Sequence, residues 1–378
     1  MRRFVLAIAM LVLPMAAQEQ KQHFTINVGT PEGMMLQTIG QEPDDEKKLA
    51  LAKDFLAKYP KHEGAGWVAS QLEAIYTKQK EYDKAIEVAD QALANSPDAL
   101  DVAYNGLKAA EGKEDPALVK TWSARTSAIA KKEIAANQKP ADDDAKQRLE
   151  YAQGVSTYAD YALYALAAKL QDPKQVVELG AALQEQNIKS QYMSMMSELY
   201  INALSQSGQA GKICGVADKL AAASSKDAYA LVNAANCSLQ KNGFDRAASE
   251  ATRAIEAINS RAKPEGVSEA DWANERTRML GQANWIAGFA YASQGKYGPA
   301  DKALRAALPA IKGSPQQLAG ALFQLGLSNY NLGKTLGDKA RMREGLHYFQ
   351  QCSEMTGAYQ DQALRNVRAI KSELGIVR

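Results

Sequence analysis

Apolar and small residues recur every three to four positions along most of the chain, in paired runs separated by short polar breaks. In the stretch from Trp285 to Leu308, Gly288 and Tyr291 lie one turn apart, and Gly295 interrupts the run before a second one begins. This period predicts two amphipathic helices joined by a turn. Small residues at Gly288 and Ala300 would let the two helix backbones approach closely. Because one such hairpin cannot bury its apolar face alone, the sequence predicts a stack of hairpins.

A second copy of this pattern carries a family resemblance. Its apolar and small positions are Ala69, Leu72, Tyr76, Ala85, Ala89, Ala92 and Pro97. The spacing resembles the tetratricopeptide repeat, in which Trp-x2-Leu-Gly-x2-Tyr is followed by Ala, an aromatic residue, Ala and Pro. Three positions depart from the pattern, namely Ala69 and Ala89 for aromatics and Glu73 for the glycine. The resemblance implies an all-α fold, an α-solenoid of roughly seven or eight stacked antiparallel helical hairpins forming a tetratricopeptide-like superhelix.

The sequence predicts five segments. They are a signal peptide at 1–17, an extended N-terminal arm at 18–29, N-terminal hairpins at 30–138, C-terminal hairpins at 144–357 and a capping helix at 358–378. The boundary between the two sets of hairpins is placed at Lys139-Pro140-Ala141 and the acidic run that follows it. Acidic residues also suit the N-terminal end of a helix, and the next predicted helix has tyrosines along one side. The last hairpin carries a seven-residue insertion.

The first residues predict export. Arg2 and Arg3 precede an apolar run of about a dozen residues, and Ala16 and Ala17 follow it, as in a secretory signal peptide. The run is too short to cross a bilayer, which needs roughly 20 residues. No later segment is longer or more apolar, so we expect no transmembrane segment in the mature chain. The protein is expected to be periplasmic or secreted after cleavage near Ala17, similar to exported bacterial-type tetratricopeptide proteins.

Charge and composition narrow the classes of partner. The chain has 45 Lys and Arg residues against 43 Asp and Glu residues, and the predicted signal peptide holds two arginines and no acid. The mature chain is therefore close to neutral, which does not favour binding to nucleic acid or to anionic lipid. Abundant Ala, Leu, Lys, Gln and Glu agree with an all-helical chain.

Candidate catalytic chemistry is sparse in the sequence. His23, His62 and His347 have no spacing to another His or Cys that would suit a metal. No glycine-rich phosphate loop follows a strand, and the carboxylates are scattered along polar faces. The sequence therefore predicts a protein that is not an enzyme and has no cofactor or metal.

The sequence allows two structural roles for Cys214 and Cys237. Cys214 lies early in a second helix, and Cys237 lies late in the first helix of the next hairpin, so antiparallel packing would bring them to one level. Export would permit a disulfide between them. The alternative is that both are small buried apolar residues. Cys352 replaces an alanine of the family pattern and is expected to be packed.

The family resemblance also implies a binding surface. In the family, the face of each first helix that does not pack on its own partner lines a concave groove. Threading the repeats places eight residues there: Tyr229, Val232, Asn236, Trp285, Phe289, Phe323, Leu327 and Tyr330. Such a groove suits an extended or helical segment with apolar anchors. The alternative is that several of these side chains belong to the core between repeats.

The expected function is a non-catalytic scaffold that binds a protein or peptide in the cell envelope through this groove. The first alternative is a structural or assembly subunit of an envelope complex, because the segment from Phe55 to Pro60 is similar to helix ends in envelope-assembly repeat proteins. The second alternative is a protein that binds small ligands or glycans on the aromatic face.

Overall fold

The computed structural model describes residues 26–264 and 266–376. The predicted signal peptide and residues 18–25 of the predicted arm lie outside the described residues. Within the described ranges the chain divides into two compact units between Gly208 and Gln209, and each contains α-helices joined by short turns. The helices of the N-terminal unit are α1 (Pro31–Gln41), α2 (Asp45–Lys58), α3 (Ala65–Lys78), α4 (Tyr82–Asn95), α5 (Leu100–Gly112), α6 (Pro116–Ala136), α7 (Asp143–Lys169), α8 (Pro173–Asn187) and α9 (Gln191–Gln206).

The C-terminal unit opens with a 3-10 turn at Ala210–Lys212. Its helices are α10 (Ile213–Ala223), α11 (Ala228–Gln240), α12 (Phe244–Ser260), α13 (Glu269–Ser293), α14 (Tyr297–Ile311), α15 (Pro315–Leu336), α16 (Lys339–Ser353) and α17 (Gln360–Glu373). The hairpin with the predicted insertion has a long first helix, α15, which ends at Gly337 in the left-handed conformation with φ +66°.

Each unit is a stack of antiparallel helical hairpins. In the N-terminal unit α3 packs on α4, α5 on α6 and α7 on α8, and the first helices α3, α5, α7 and α9 lie side by side. In the C-terminal unit α11 packs on α12, α13 on α14 and α15 on α16, while α11, α13 and α15 lie side by side. This packing confirms the predicted all-α class and the tetratricopeptide-like stacking of hairpins.

The first residues of the N-terminal unit and the last helix of the C-terminal unit also have defined contacts. At the N-terminal end, Ile26 packs against the core formed around Phe55, and the backbone carbonyl of Asn27 accepts a hydrogen bond from the amide of Thr30. At the C-terminal end, α17 packs on α16 and buries Ala363 and Ile370. The rest of α17 is largely polar, which suits a helix with one face in solvent.

The units do not divide at the predicted boundary near Pro140. Helices α6 and α7 pack on each other across that turn. The carboxylate of Asp142 accepts a hydrogen bond from the amide of Ala145 at 2.7 Å, which makes Asp142 the N-cap of α7. Asp143 and Asp144 form the first turn, where the helix dipole favours negative charge. The acidic run therefore begins a helix inside the N-terminal unit.

We expect the Asp142→Ala variant to lose about 1 kcal/mol of free energy of unfolding, because alanine cannot accept the hydrogen bond at the N-cap. Urea denaturation followed by far-UV circular dichroism measures the loss. Lys139→Ala is the matched control, since Lys139 is exposed and lies outside both helices. Equal stability of the two variants would contradict the capping role.

Within three of the hairpins, a glycine on the first helix faces a large side chain on the second. A Cβ atom built on the glycine would lie 2.4 to 2.8 Å from that side chain, far inside van der Waals contact, in the pairs Gly106–Trp122, Gly288–Leu304 and Gly326–Phe349. The spacing in sequence is sixteen residues in the first two pairs, and it is longer in the third because of the insertion. These contacts set how closely the two helices of a hairpin approach.

In the α3–α4 hairpin the large residue lies on the first helix and the small residue lies on the second. Glu73 stands at the glycine position and Ala89 stands sixteen residues later, and both are fully buried. Neither carboxyl oxygen of Glu73 has a hydrogen-bond partner among the described residues. Burial raises the pKa of this carboxyl well above its ordinary value, and the charge of Asp101 on α5 raises it further. The α3–α4 hairpin therefore carries a buried acid at the position where the three hairpins named above carry a glycine.

Candidate functional site

The predicted groove residues of α13 lie against the neighbouring first helix, α15. The rings of Trp285 and Phe289 are half-buried, with centroids 4.4 Å apart. The indole Nε1 of Trp285 donates a hydrogen bond to the carbonyl of Gln317 at 3.1 Å. The ring of Phe289 approaches Gly320 so closely that a Cβ atom there would lie 2.8 Å from Cζ. These two aromatics fill the space between adjacent first helices.

The predicted groove residues of α15 meet α16 and α17. The ring of Phe323 lies 5.4 Å from that of Phe349 and 5.1 Å from that of Tyr359, centroid to centroid. Leu327 packs in the same apolar cluster. The hydroxyl of Tyr330 donates to the carboxylate of Glu373 at 2.5 Å. The terminal helix therefore contacts this face of α15.

On α11, Val232 is only 3% exposed and belongs to the core, whereas Tyr229 and Asn236 are half-buried. Val232 is buried, and the other apolar members pack on the apolar clusters of the C-terminal unit, as in the alternative that the sequence left open; they are Trp285, Phe289, Phe323, Leu327 and Tyr330. Their binding of a partner stays a prediction, and it would involve the exposed edges of half-buried rings.

Cys214 on α10 and Cys237 on α11 form a disulfide in this structure, with Cα atoms 5.6 Å apart. The disulfide is the first of the two alternatives that the sequence left open for these cysteines. The third cysteine, Cys352, is buried, and its thiol donates a hydrogen bond to the carbonyl of Ala319. Burial raises the pKa of the Cys352 thiol to about 11. Cys352 is therefore protonated and unreactive at neutral pH.

The first helices of the N-terminal unit carry a second aromatic surface. We call it the tyrosine cluster, and its members come from α5, α7 and α9: Tyr104, Tyr158, Tyr161, Tyr164 and Tyr192. Four of the rings are half-exposed, and Tyr164 is buried. Ring centroids are 5.1 Å apart between Tyr104 and Tyr158, 5.6 Å between Tyr158 and Tyr161, 5.5 Å between Tyr161 and Tyr192, and 6.1 Å between Tyr164 and Tyr192.

Charged groups around the tyrosine cluster are paired. The hydroxyl of Tyr158 donates to the carboxylate of Glu111 at 2.6 Å, and Lys169 forms an ion pair with Glu114 at 2.9 Å. The ammonium group of Lys108 lies 4.4 Å from the centre of the Tyr104 ring, a cation–π distance. Burial is the main cause that raises the pKa of the Tyr158 and Tyr161 hydroxyls, so both stay neutral. The surface is aromatic and has no large excess of either charge.

The tyrosine cluster is not evident as a site in the sequence. Tyrosines recur along one side of α7, but Tyr104 and Tyr192 lie on other helices, far away along the chain. The signal that could have found them is their shared position on consecutive first helices, since those helices pack side by side.

Across residues 26–264 and 266–376, no group of three or more His, Cys, Asp or Glu side chains is arranged to hold a metal ion. No helix in the same ranges combines the length and the apolar character that crossing a bilayer requires. His62 caps a turn through its Nδ1 atom, which accepts a hydrogen bond from the amide of Gly64, and His347 lies beside Gln351. His23 lies outside the described residues.

Comparisons with known proteins do not assign a family to this chain. No protein-family model matches the sequence. No curated protein matches it either. Among solved structures, the chain is similar to the TPR domain of P58(IPK), with 9% identity, 92% of this chain and 100% of that chain covered, and a TM-score of 0.24. It is also similar to yeast Tom70, with 12% identity, coverage of 93% and 97%, and a TM-score of 0.22.

A third similar structure is that of Naa15/Naa10 bound to HypK-THB, with 11% identity, coverage of 91% and 78%, and a TM-score of 0.18. These scores are too low to carry an assignment by themselves. The class of this protein follows from its own helix packing, which is that of tetratricopeptide-like hairpins.

Proposed function

We propose that this protein is a non-catalytic scaffold that binds a protein or peptide partner through the aromatic surface of its first helices. The observation that carries the proposal is the tyrosine cluster, in which three consecutive first helices contribute half-exposed rings that contact one another. Tyrosine is enriched at the centre of protein interfaces, because it offers a large contact area and a polar tip at a low cost in side-chain entropy.

The proposed location is the cell envelope or the exterior, after removal of residues 1–17. Two observations support it. The N-terminal pattern is typical of a signal peptide. The disulfide between Cys214 and Cys237 suits an oxidising compartment, because cytosolic thiols are kept reduced.

The test compares three variants of the mature chain in affinity capture from an envelope extract, followed by titration of the purified captured partner. In the Tyr161→Ala, Tyr192→Ala double variant we expect affinity to fall at least about tenfold, as for the loss of central interface aromatics. The Trp285→Ala, Phe289→Ala double variant tests the groove predicted from the sequence. Leu336→Ala is the control, since this leucine is 67% exposed and lies outside both aromatic surfaces.

Circular dichroism must first show that each variant is folded. If a partner binds the tyrosine double variant and the wild type equally, the tyrosine cluster is not the site. If the partner is lost only from the Trp285 and Phe289 variant, the groove of the C-terminal unit is the site instead. Specific capture of a glycan rather than a protein would overturn the proposed partner class.

A further inference from the structure

We propose that one end of the C-terminal unit is a docking surface for an anionic lipid membrane. We call this end the basic edge. It is the end at which α13 and α15 finish and α14 and α16 begin, and its exposed side chains are Lys296, Lys302, Leu336, Lys339, Arg343 and Ile376. This surface is separate from the tyrosine cluster, which belongs to the N-terminal unit.

Contacts between the first helices bring the two hairpin turns to the same end. The indole of Trp285 reaches the carbonyl of Gln317, and one turn later the ring of Phe289 reaches Gly320. Helices α13 and α15 therefore run in the same direction. Because each hairpin is antiparallel, the turn from α13 to α14 and the turn from α15 to α16 lie at one end of the unit.

The C-terminal end of α17 returns to this end of the unit. Near the end of α15, the hydroxyl of Tyr330 donates a hydrogen bond to the carboxylate of Glu373, and Lys334 forms an ion pair with the same carboxylate at 3.4 Å. Ile376, three residues after Glu373, follows directly from that contact. The last residues of the described chain thus belong to the basic edge.

The last helices are basic although the mature chain is close to neutral. Between Lys296 and Ile376 the sequence has eleven Lys and Arg residues against six Asp and Glu residues. Within the described residues, none of the four basic side chains of the basic edge has an ion pair or a side-chain hydrogen bond. Two of them, Lys339 and Arg343, lie one turn apart on the exposed face of α16.

Carboxylates near the basic edge are engaged with other groups. Arg305 forms ion pairs with Asp301 at 2.8 Å and with Glu344 at 2.7 Å. The carboxylate of Asp338 accepts hydrogen bonds from two backbone amides as the N-cap of α16. The positive charge of the exposed basic side chains therefore remains in excess and can attract anionic headgroups.

Exposed apolar side chains at the same end favour a membrane over an acidic protein. Leu336 is 67% exposed at the last position of α15, and Ile376 is 38% exposed. An acidic protein segment would pair with the basic side chains but would have no reason to select apolar tips beside them. At an anionic bilayer, apolar side chains enter the boundary below the headgroups while Lys and Arg stay among the phosphates.

Co-sedimentation of the mature full-length chain with lipid vesicles tests the proposal. We expect binding to phosphatidylcholine vesicles that contain about one third phosphatidylglycerol, weaker binding at high salt, and little binding to pure phosphatidylcholine. The Lys339→Gln, Arg343→Gln double variant should lower the partition coefficient about tenfold or more, because each basic residue near the surface adds to the attraction. The matched control is Lys226→Gln, Lys312→Gln, which removes two exposed charges outside the basic edge.

Leu336→Ala should lower the affinity for the anionic vesicles about fivefold, because a smaller apolar side chain is buried. It should leave a partner that binds the tyrosine cluster unaffected. Absence of binding to the anionic vesicles, or an equal loss in the two double variants, would overturn the proposal. Saturable binding of polyglutamate without vesicle binding would overturn it in favour of an acidic protein partner. Either failure leaves the proposed role of the tyrosine cluster standing, since Tyr161 and Tyr192 are unchanged in these variants.

Discussion

Replacement of both Cys214 and Cys237 by alanine is expected to lower the free energy of unfolding of the oxidised protein by about 3 kcal/mol. The disulfide joins residues separated by 23 positions, and opening a loop of that length restores conformational entropy to the unfolded chain. The bond also links α10, a helix of 11 residues, to α11, on which it packs. Chemical denaturation with and without reducing agent measures the effect.

Two comparisons separate the cross-link from the loss of the side chains. The reduced wild type should approach the stability of the reduced double variant, and Cys352→Ala should leave the difference between oxidised and reduced protein unchanged. Thiol labelling under non-reducing conditions gives an independent readout, with one labelled cysteine expected in the denatured protein. Three labelled cysteines in the purified mature protein would show that the bond does not form, and the predicted stabilisation would then be absent.

Replacement of Glu73 by methionine is expected to stabilise the protein at pH 7 by about 1–3 kcal/mol, which is the usual cost of a buried polar group without a partner. Methionine has a similar length and can occupy the same buried space with apolar atoms. The side chain of Glu73 is fully buried, and its two oxygens have no hydrogen-bond partner among the described residues. An exposed glutamate on α7, Glu150, supplies the control, and Glu150→Met should change stability little.

The same substitution should flatten the dependence of stability on pH. Because the folded-state pKa of Glu73 is raised, the folded protein keeps a proton that the unfolded chain has already lost. Stability then falls as pH rises from about 4.5 toward the raised pKa, and the contribution of the proton is fully present below that range. Asp101, which accepts a hydrogen bond from Tyr151 and whose pKa burial raises to about 6, adds a fall between roughly pH 4 and 6.

Urea denaturation at several pH values from 4 to 8 compares the wild type with Glu73→Met. We expect the gain from the substitution to be larger at pH 8 than at pH 4. A constant difference between the two proteins across this range would mean that Glu73 does not titrate in the folded state. A less stable variant at pH 8 would mean that the carboxylate has a stabilising partner there.

Periodicity was sufficient to predict the fold class. The spacing from Gly288 to Leu304 predicts two helices in close contact, and the structure places the glycine directly against the leucine side chain. An acidic run after a proline, such as the one that follows Pro140, is typical both of a linker and of a helix N-terminus, and the sequence leaves both readings open. Only the hydrogen bond from the amide of Ala145 to Asp142 distinguishes the two.

Less of the candidate site than of the fold could be predicted from the sequence. Threading assigns Trp285 and Phe323 to a helix face, but it does not show what lies against that face. In the structure the indole of Trp285 reaches the carbonyl of Gln317, and the ring of Phe323 reaches Tyr359. The tyrosine cluster depends on three helices being adjacent, so no local pattern within one helix reveals it.

The matched large and small residues within four of the hairpins limit how this chain can be recombined. Trp122 and Leu304 each fit a glycine of their own hairpin, whereas in the α3–α4 hairpin Glu73 stands at the glycine position and Ala89 at the position of the large residue. A chimera that exchanges whole hairpins carries both members of each pair with it. A crossover placed in the turn inside a hairpin would set Glu73 against a tryptophan or a leucine, or a glycine against Ala89. The first product would be overpacked and the second would contain a cavity, so viable crossover points should lie between hairpins.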